Sequence, residues 1–185
     1  MEVKNERNRE ENKMPAGLER VGIFVDGGNV FHPMRDKGET INYAGFMNWL
    51  HEGRRVKFAG YFNTTVPYEN KEAFYEHLKL VGFNMFLKKA TLKDSGYKQE
   101  GIDVYIAVKA MKAMAQFDTF ILVSGDYDFS PLVHEMQNSG KNVEIVSWKS
   151  TMHPYYTKYT HKYIDAFLSW DGKVKEYYKK KEEKK

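Results

Sequence analysis

The chain has no cysteine, and this absence removes several kinds of chemistry. Disulfide bonds, thiolate nucleophiles and cysteine-ligated zinc sites all need that residue type. No run of about 18 apolar residues occurs either, so the sequence predicts no transmembrane helix and no membrane partner. Residues 1–20 are too polar for a secretory signal. We therefore expect a cytoplasmic protein.

Neither repeats nor low-complexity linkers divide the 185 residues. A hydrophobic content of 42% and an aromatic content of 15% predict one domain with a bulky core. Residues 1–19 are charged and almost free of apolar side chains, which predicts a disordered or loosely ordered arm. Residues 20–170 then form the domain, and the Lys-rich residues 171–185 form a C-terminal helix or tail.

The net charge of +4 is mild, but the charges are unevenly distributed along the chain. Acids follow the apolar segments, whereas Lys and Arg gather in loops and at the C-terminus. Such a protein is suited to hold an anionic polymer around an acidic centre that contains metal. An ordinary basic protein has the same composition, so charge alone leaves both interpretations open.

Short apolar runs alternate with helical patterns, which is typical of an α/β protein with a doubly wound parallel sheet. The predicted strands are Val21–Val25, Val56–Phe62, Phe83–Leu87, Phe120–Val123 and Val143–Val146. A strand order of 3-2-1-4-5 makes the first and fourth strands neighbours where the winding direction reverses. Ligands of such sheets bind beyond the carboxyl ends of the strands at this reversal.

Two acidic turns follow the first and fourth predicted strands. Asp26-Gly27-Gly28-Asn29 comes after the first, and Ser124-Gly125-Asp126-Tyr127-Asp128 comes after the fourth. Carboxylates held close together raise one another's pKa, and a divalent metal relieves the repulsion. The competing interpretation for the first turn is that Asp26 and Asn29 cap the next helix.

A third acid, Asp103, is predicted in the first turn of a helix. Helix dipoles favour an acid there, which explains Asp103 without any function. It joins the other acids only if the N-terminus of its helix faces the same crevice. The predicted core side of this helix carries Val104, Ala107, Val108, Met111 and Met114.

The C-terminal part of the domain is rich in aromatic and basic residues. The stretch from Tyr155 to Tyr163 has the composition of a surface that stacks nucleobases and meets phosphates. A short amphipathic helix that buries half of the tyrosines is the alternative that we favour. Asp165–Trp170 is predicted as a last edge strand.

Three segments together resemble the acidic motifs of NYN-domain proteins of the LabA/DUF88 group, which are relatives of PIN-domain nucleases. The segments are VGIFVDGGN, EGIDVYIAVKA and FILVSGDYDFSPLV, and the likeness spans about residues 21–170. This resemblance implies a PIN-like three-layer α/β/α fold with a mostly parallel central sheet. It also implies a ribonuclease that uses Mg²⁺ or Mn²⁺, with RNA as partner and a homodimer as a possible assembly.

The resemblance assigns roles to particular positions of this chain. Its catalytic and metal-binding residues are Asp26, Asp103, Asp126 and Asp128. Asn29 and Ser124 support the site or contact substrate, and the candidate RNA contacts are Lys88, Lys98 and Lys109. Asp165 resembles part of a C-terminal motif and receives no chemistry. Two positions depart from the pattern, since relatives often have Lys at the position of Glu100 and Asp at that of Lys109.

Other functions compete with RNA hydrolysis. A catalytically weak or inactive module that binds RNA or protein is favoured by Glu100 and Lys109. A haloacid-dehalogenase-like phosphatase ranks last. Its chemistry needs a nucleophilic Asp after the first strand and a second acid two residues later, and this chain has Gly28 at that second position. Phosphate-loop nucleotide hydrolysis is not supported, since no Gly-Lys-Ser/Thr loop follows a strand.

Overall fold

The computed structural model describes residues 18–67, 70–93, 96–98 and 101–182. Nearly all of the predicted N-terminal arm, residues 1–17, lies outside this part of the chain, and so does Glu100. No helix within the described part is long and apolar enough to cross a bilayer.

Six parallel strands form the central sheet in the order β3-β2-β1-β6-β7-β8. They are β1 Arg20–Asp26, β2 Arg55–Thr65, β3 Asn84–Lys89, β6 Thr119–Val123, β7 Asn142–Ser147 and β8 Thr160–Tyr163. The five predicted strands are adjacent as expected, but the observed order differs from the prediction by a sixth strand, β8, at one edge. A separate antiparallel pair, β4 Thr91–Lys93 and β5 Gly96–Lys98, lies in the Lys-rich segment between β3 and α4.

Helices cover both faces of this sheet, so the three-layer α/β/α architecture is confirmed. They are α1 Gly27–Asp36, α2 Tyr43–His51, α3 Glu72–Val81, α4 Ile102–Ala113, α5 Ser130–Asn138 and α6 Ile164–Glu182. Single 3₁₀ turns occupy Met114–Gln116, Tyr127–Phe129 and Pro154–Lys158. A hydrophobic core lies on each face of the sheet, and successive side chains of β1 point into opposite cores. Ile23 packs with α1, α2, α3 and α6, whereas Phe24 packs with α4 and α5.

The predicted core side of α4 is only partly right: Ala107 and Met114 pack against the core, but Val104, Val108 and Met111 are exposed. Ile106, Ala110 and Ala113 are buried, whereas Val104 is 66% exposed and Val108 44% exposed. Both sets follow the 3.6-residue period, so periodicity alone does not choose between them. The sheet determines which side of the helix faces inward. Its phenylalanines on this face are bulky, so the helix packs against them with small alanine side chains.

The region after β7 also differs from prediction. Asp165–Trp170 belongs to α6 and is not a strand, because Ile164 and Phe167 lie one turn apart and both enter the core. The predicted boundary between residues 170 and 171 falls inside this helix. The aromatic stretch from Tyr155 to Tyr163 divides into a 3₁₀ turn and the edge strand β8, so it is not one amphipathic helix.

Candidate functional site

The candidate site lies beyond the carboxyl ends of β1 and β6. These strands are paired in parallel up to Val25 and Val123. The next residues, Asp26 at the end of β1 and Ser124 just after β6, therefore lie side by side at this edge of the sheet. The winding direction of the sheet reverses between β1 and β6, which is where open α/β sheets bind their ligands.

Asp26 is the N-cap of α1 and lies at the centre of a hydrogen-bond network. Its Oδ1 accepts from the backbone amides of Gly28 at 3.1 Å and Asn29 at 3.3 Å. Its Oδ2 accepts from Asn29 Nδ2 at 3.1 Å and from Ser124 Oγ at 3.3 Å. The two interpretations of the first turn are thus compatible, because this carboxylate caps a helix and also lines a cleft.

The second acidic turn is tied to the first by Asn29 and Ser124. Asn29 Oδ1 accepts from the Gly125 amide at 3.4 Å, and Ser124 Oγ accepts from the Asp126 amide at 3.2 Å. Asp126 in turn caps the Tyr127–Phe129 turn, since its Oδ1 accepts from the Asp128 amide at 3.0 Å. The network fixes the relative positions of the two acidic turns.

Asp103 lies in the first turn of α4 and faces the same cleft as Asp26. The N-cap of this helix is Gly101, which has a left-handed φ of 73° that favours glycine. Together, Asp26 and Asp103 line a cleft of about 230 Å³. The other lining residues are Gly28, Asn29, His32, Asn63, Thr64, Gly101 and Ile102. Asp126 and Asp128 do not line this cleft; α4 packs against the turn that carries them.

The acids influence one another electrostatically. Burial raises the pKa of Asp26 to about 6, hydrogen bonds from Asn29 and Ser124 oppose the rise, and the charge of Asp103 adds to it. Partial desolvation raises the pKa of Asp103, and the charges of Asp126 and Asp128 raise it further. The ionised carboxylates therefore repel each other across the crevice, and a cation there would stabilise all of them.

The chemistry of these donors fits Mg²⁺ or Mn²⁺, which prefer carboxylate and amide oxygens. Within the described part of the chain, no three His, Asp or Glu side chains are grouped closely enough to hold a metal as they stand. Each oxygen of Asp26 already accepts two hydrogen bonds. Direct ligation by Asp26 requires one of these bonds to break, whereas binding through water does not.

The three candidate lysines are placed differently. A Cβ added at Gly101 would stand 2.8 Å from Lys88 Nζ, so this ammonium lies at the rim of the cleft. Lys109 Nζ is 4.7 Å from the ring centroid of Phe86 and 5.6 Å from that of Tyr105, in cation–π contacts. The side chain of Lys98 lies outside the described part of the structure.

Asn63 and Thr64, at the carboxyl end of β2, also line the cleft, and sequence analysis missed them. Thr64 is only 3% exposed, and its hydroxyl has no hydrogen-bond partner among the described residues. Buried hydroxyls normally have partners. The sequence signal that could have identified them is the polar Asn-Thr-Thr segment at the end of β2, which lies next to the point where the winding direction of the sheet reverses.

These features define the class of the protein: a PIN-like α/β domain with acids gathered beyond the ends of parallel strands. Within this class the chain belongs to the NYN domain family, whose model matches residues 20–167.

Individual relatives agree with this assignment. The chain is 21% identical over 154 residues to the low amplitude and bright protein LabA of Synechococcus elongatus, an alignment that covers 79% of this chain and 83% of the relative. A crystal structure of a Vibrio parahaemolyticus protein of unknown function superposes with a TM-score of 0.75 at 25% identity. It covers 83% of this chain and 98% of that protein.

Proposed function

We propose that this protein is a divalent-metal-dependent ribonuclease that hydrolyses RNA phosphodiester bonds in the acidic cleft. The observation that carries the proposal is that Asp26 and Asp103 line one cleft, while the turn with Asp126 and Asp128 lies beside it, bonded to Asn29 through the Gly125 amide and packed against α4. NYN domains bind RNA, which supplies the substrate class.

The acids have distinct roles in this proposal. Asp103, Asp126 and Asp128 would hold Mg²⁺ or Mn²⁺, and Asp26 would join them directly or through water. The bound ion would lower the pKa of an attacking water and neutralise charge on the phosphate. Asn29 and Ser124 fix the orientation of Asp26, because both donate to its Oδ2.

Two further groups would contact the substrate. The ammonium of Lys88 at the rim of the cleft provides positive charge for the RNA backbone. Thr64 lines the cleft, and its buried hydroxyl, which has no partner among the described residues, would donate to a phosphate or ribose oxygen once its side chain turns toward the cleft. Lys109 remains a candidate RNA contact, although its ammonium is held against Phe86.

A regulatory module that binds RNA without cutting it is the second candidate. It is favoured by the bonding of Asp26, whose two oxygens are both engaged within the protein. Such a carboxylate holds the turns together well but is a poor direct ligand for a metal.

Incubation of purified protein with single-stranded RNA, in Mn²⁺ or in EDTA, separates the two candidates. We expect new RNA ends in Mn²⁺ only, and none with Asp126→Asn. Asparagine retains an Oδ1 that can accept from the Asp128 amide, so the turn stays capped. Asp36→Asn is the matched control, because Asp36 lies at the far end of α1 and pairs with Arg35. Cleavage that persists in EDTA or in Asp126→Asn would contradict the proposal, and RNA binding without cleavage would support the regulatory module.

A further inference from the structure

A cluster of aromatic rings lies beside the acidic turn and has no role in the proposed chemistry. It consists of Tyr127, His153 and Tyr155, which we call the aromatic platform. The Tyr127 ring centroid is 4.5 Å from that of His153 in a tilted contact, and 5.3 Å from that of Tyr155 in an edge contact. The platform therefore joins rings from two segments that are distant in the chain.

The platform is attached firmly to the acidic site. Tyr127 stands between Asp126 and Asp128 in the sequence. The Tyr156 hydroxyl donates to the Asp126 carbonyl at 2.7 Å, and the His153 amide donates to the Gly125 carbonyl at 3.1 Å. The Thr151 carbonyl approaches Gly125 so closely that a Cβ there would collide with it. The rings and the acids thus keep a fixed relative position.

Tyr155 is partly buried against the core, but core packing does not account for Tyr127 and His153. Tyr156 is fully buried and Tyr159 nearly so, and they provide the contact with the core. Tyr127, in contrast, is 47% exposed, and His153 is also exposed. Hydrogen bonding fixes the His153 ring, because its Nδ1 accepts from the Tyr155 amide at 3.2 Å. The platform is thus a preformed aromatic surface in contact with solvent.

Positive charge adjoins the platform. Lys158 Nζ lies 3.8 Å from the ring centroid of Tyr155, on the 3₁₀ turn that also carries Tyr155. Aromatic faces beside basic side chains are the combination that binds single-stranded nucleic acids, because every base has a stacking face and every nucleotide a phosphate. In duplex RNA the bases are already paired and stacked, and they are not available to such a surface.

We propose that the aromatic platform stacks an unpaired base of single-stranded RNA and thereby sets the position of the strand relative to the acidic cleft. This inference rests on the proposed function only in taking RNA as the ligand. It adds that the substrate is single-stranded and that Tyr127 is a positioning residue, with no part in bond cleavage.

The test is RNA binding in EDTA, so that cleavage does not enter. We would measure the Kd of a fluorescently labelled single-stranded oligonucleotide for wild type, Tyr127→Ala and Tyr127→Phe. Stacking predicts a roughly tenfold weaker Kd for Tyr127→Ala and a nearly unchanged Kd for Tyr127→Phe, which keeps the ring. Trp170→Ala is the matched control, because Trp170 is an aromatic residue with the same 47% exposure on α6. Circular dichroism would confirm that each variant is folded.

A second readout locates the stacked base. The fluorescent base 2-aminopurine, moved along the oligonucleotide, should be quenched at one position by wild type and by Tyr127→Phe but not by Tyr127→Ala. Equal affinity of wild type and Tyr127→Ala, or equal binding of duplex RNA, would overturn the inference. So would a proline-rich peptide that binds at Tyr127 while RNA does not. Stacking at Tyr127 without cleavage in Mn²⁺ would leave the inference standing and remove the proposed nuclease.

Discussion

Ser124 Oγ lies 3.3 Å from Oδ2 of Asp26, across the boundary between β6 and β1. Both groups are buried, and the same hydroxyl accepts from the Asp126 amide. One hydroxyl thus links the acid that follows the first strand to the acids that follow the fourth. Pairing of β1 with β6 ends at Val25 and Val123, so beyond it the two acidic turns are held together by this bond and by the bond from the Gly125 amide to Asn29.

Ser124→Ala tests this link. Removal of the hydroxyl takes away one of the four hydrogen bonds that Asp26 accepts, and it also removes the acceptor of the Asp126 amide. We therefore expect the free energy of unfolding in urea to fall by roughly 1–2 kcal/mol. The pKa of Asp26 should rise further above about 6, since this hydrogen bond lowers it. Mn²⁺-dependent cleavage should fall by about 10–100-fold. Ser169→Ala is the control: that exposed hydroxyl bonds within α6, and its loss should change stability by less than about 0.5 kcal/mol.

The raised pKa of Asp26 predicts the pH dependence of stability without metal. The folded state retains a proton that the unfolded state has released, so the stabilisation is complete below the ordinary pKa of 3.8 and is lost as pH rises through about 6. From about pH 5 to about pH 7.5, this residue should lower the free energy of unfolding by roughly 1–1.5 kcal/mol. The pKa of Asp103 is also raised, so its contribution to stability is likewise lost as pH rises.

Urea unfolding in EDTA across this range checks the expectation. Asp26→Asn, which does not titrate, should show a smaller loss of stability with rising pH than wild type. Asp118 does not interfere, because Arg20 lowers its pKa to about 2 and its stabilisation is lost only as pH falls through that value. Addition of Mn²⁺ should restore stability at the upper end of this pH range. Identical pH profiles for wild type and Asp26→Asn would show that Asp26 is not the titrating group.

Gly27 and Gly28 are adjacent but should respond differently to substitution. A Cβ at Gly27 would stand 2.8 Å from both the Phe62 carbonyl oxygen and the Tyr61 ring, and the backbone oxygen cannot move aside. We expect Gly27→Ala to reduce the free energy of unfolding by roughly 1–3 kcal/mol. A Cβ at Gly28 meets only the Asp26 carboxylate at 3.5 Å and the His32 ring at 3.9 Å.

Gly28→Ala should therefore change stability by less than about 0.5 kcal/mol. Gly28 lines the cleft, so the added methyl group should still weaken RNA cleavage. Thermal unfolding and a cleavage assay on the two variants separate packing from function. Equal destabilisation by both substitutions would contradict this assignment.

Substitution of Thr64 tests the cleft without changing any of its acidic residues. Thr64→Val removes a buried hydroxyl with no partner in the described structure, so stability should be unchanged or slightly higher. RNA affinity should fall roughly tenfold if the hydroxyl donates to a phosphate oxygen. Thr119→Val is the matched control, because the buried Thr119 hydroxyl donates to Glu19 and its loss should lower stability by roughly 1–2 kcal/mol. An unchanged Kd in Thr64→Val would remove Thr64 from the binding site.

Local patterns were sufficient to locate five strands of the central sheet, but not the edge strand β8. Apolar runs such as Val21–Val25 and Phe120–Val123 fit strands covered on both faces, and they were found within a few residues of their observed bounds. The same kind of pattern failed for α4, where two stripes have the same period and the larger side chains face outward. It also failed for residues 165–170, which contain Phe167. The apolar residues of so short a segment fit a strand and a helix equally well.

The acidic turns at Asp26 and Asp126 were evident from the sequence by itself, because an acid directly after a buried strand lies at the edge of the sheet whatever the packing around it. Tertiary structure alone decided that Asp103 and Thr64 line the same cleft as Asp26, and that Tyr127 contacts His153 and Tyr155. Those relationships join residues from separate segments. Their distances depend on how helices pack on the sheet, which no local pattern of residues specifies.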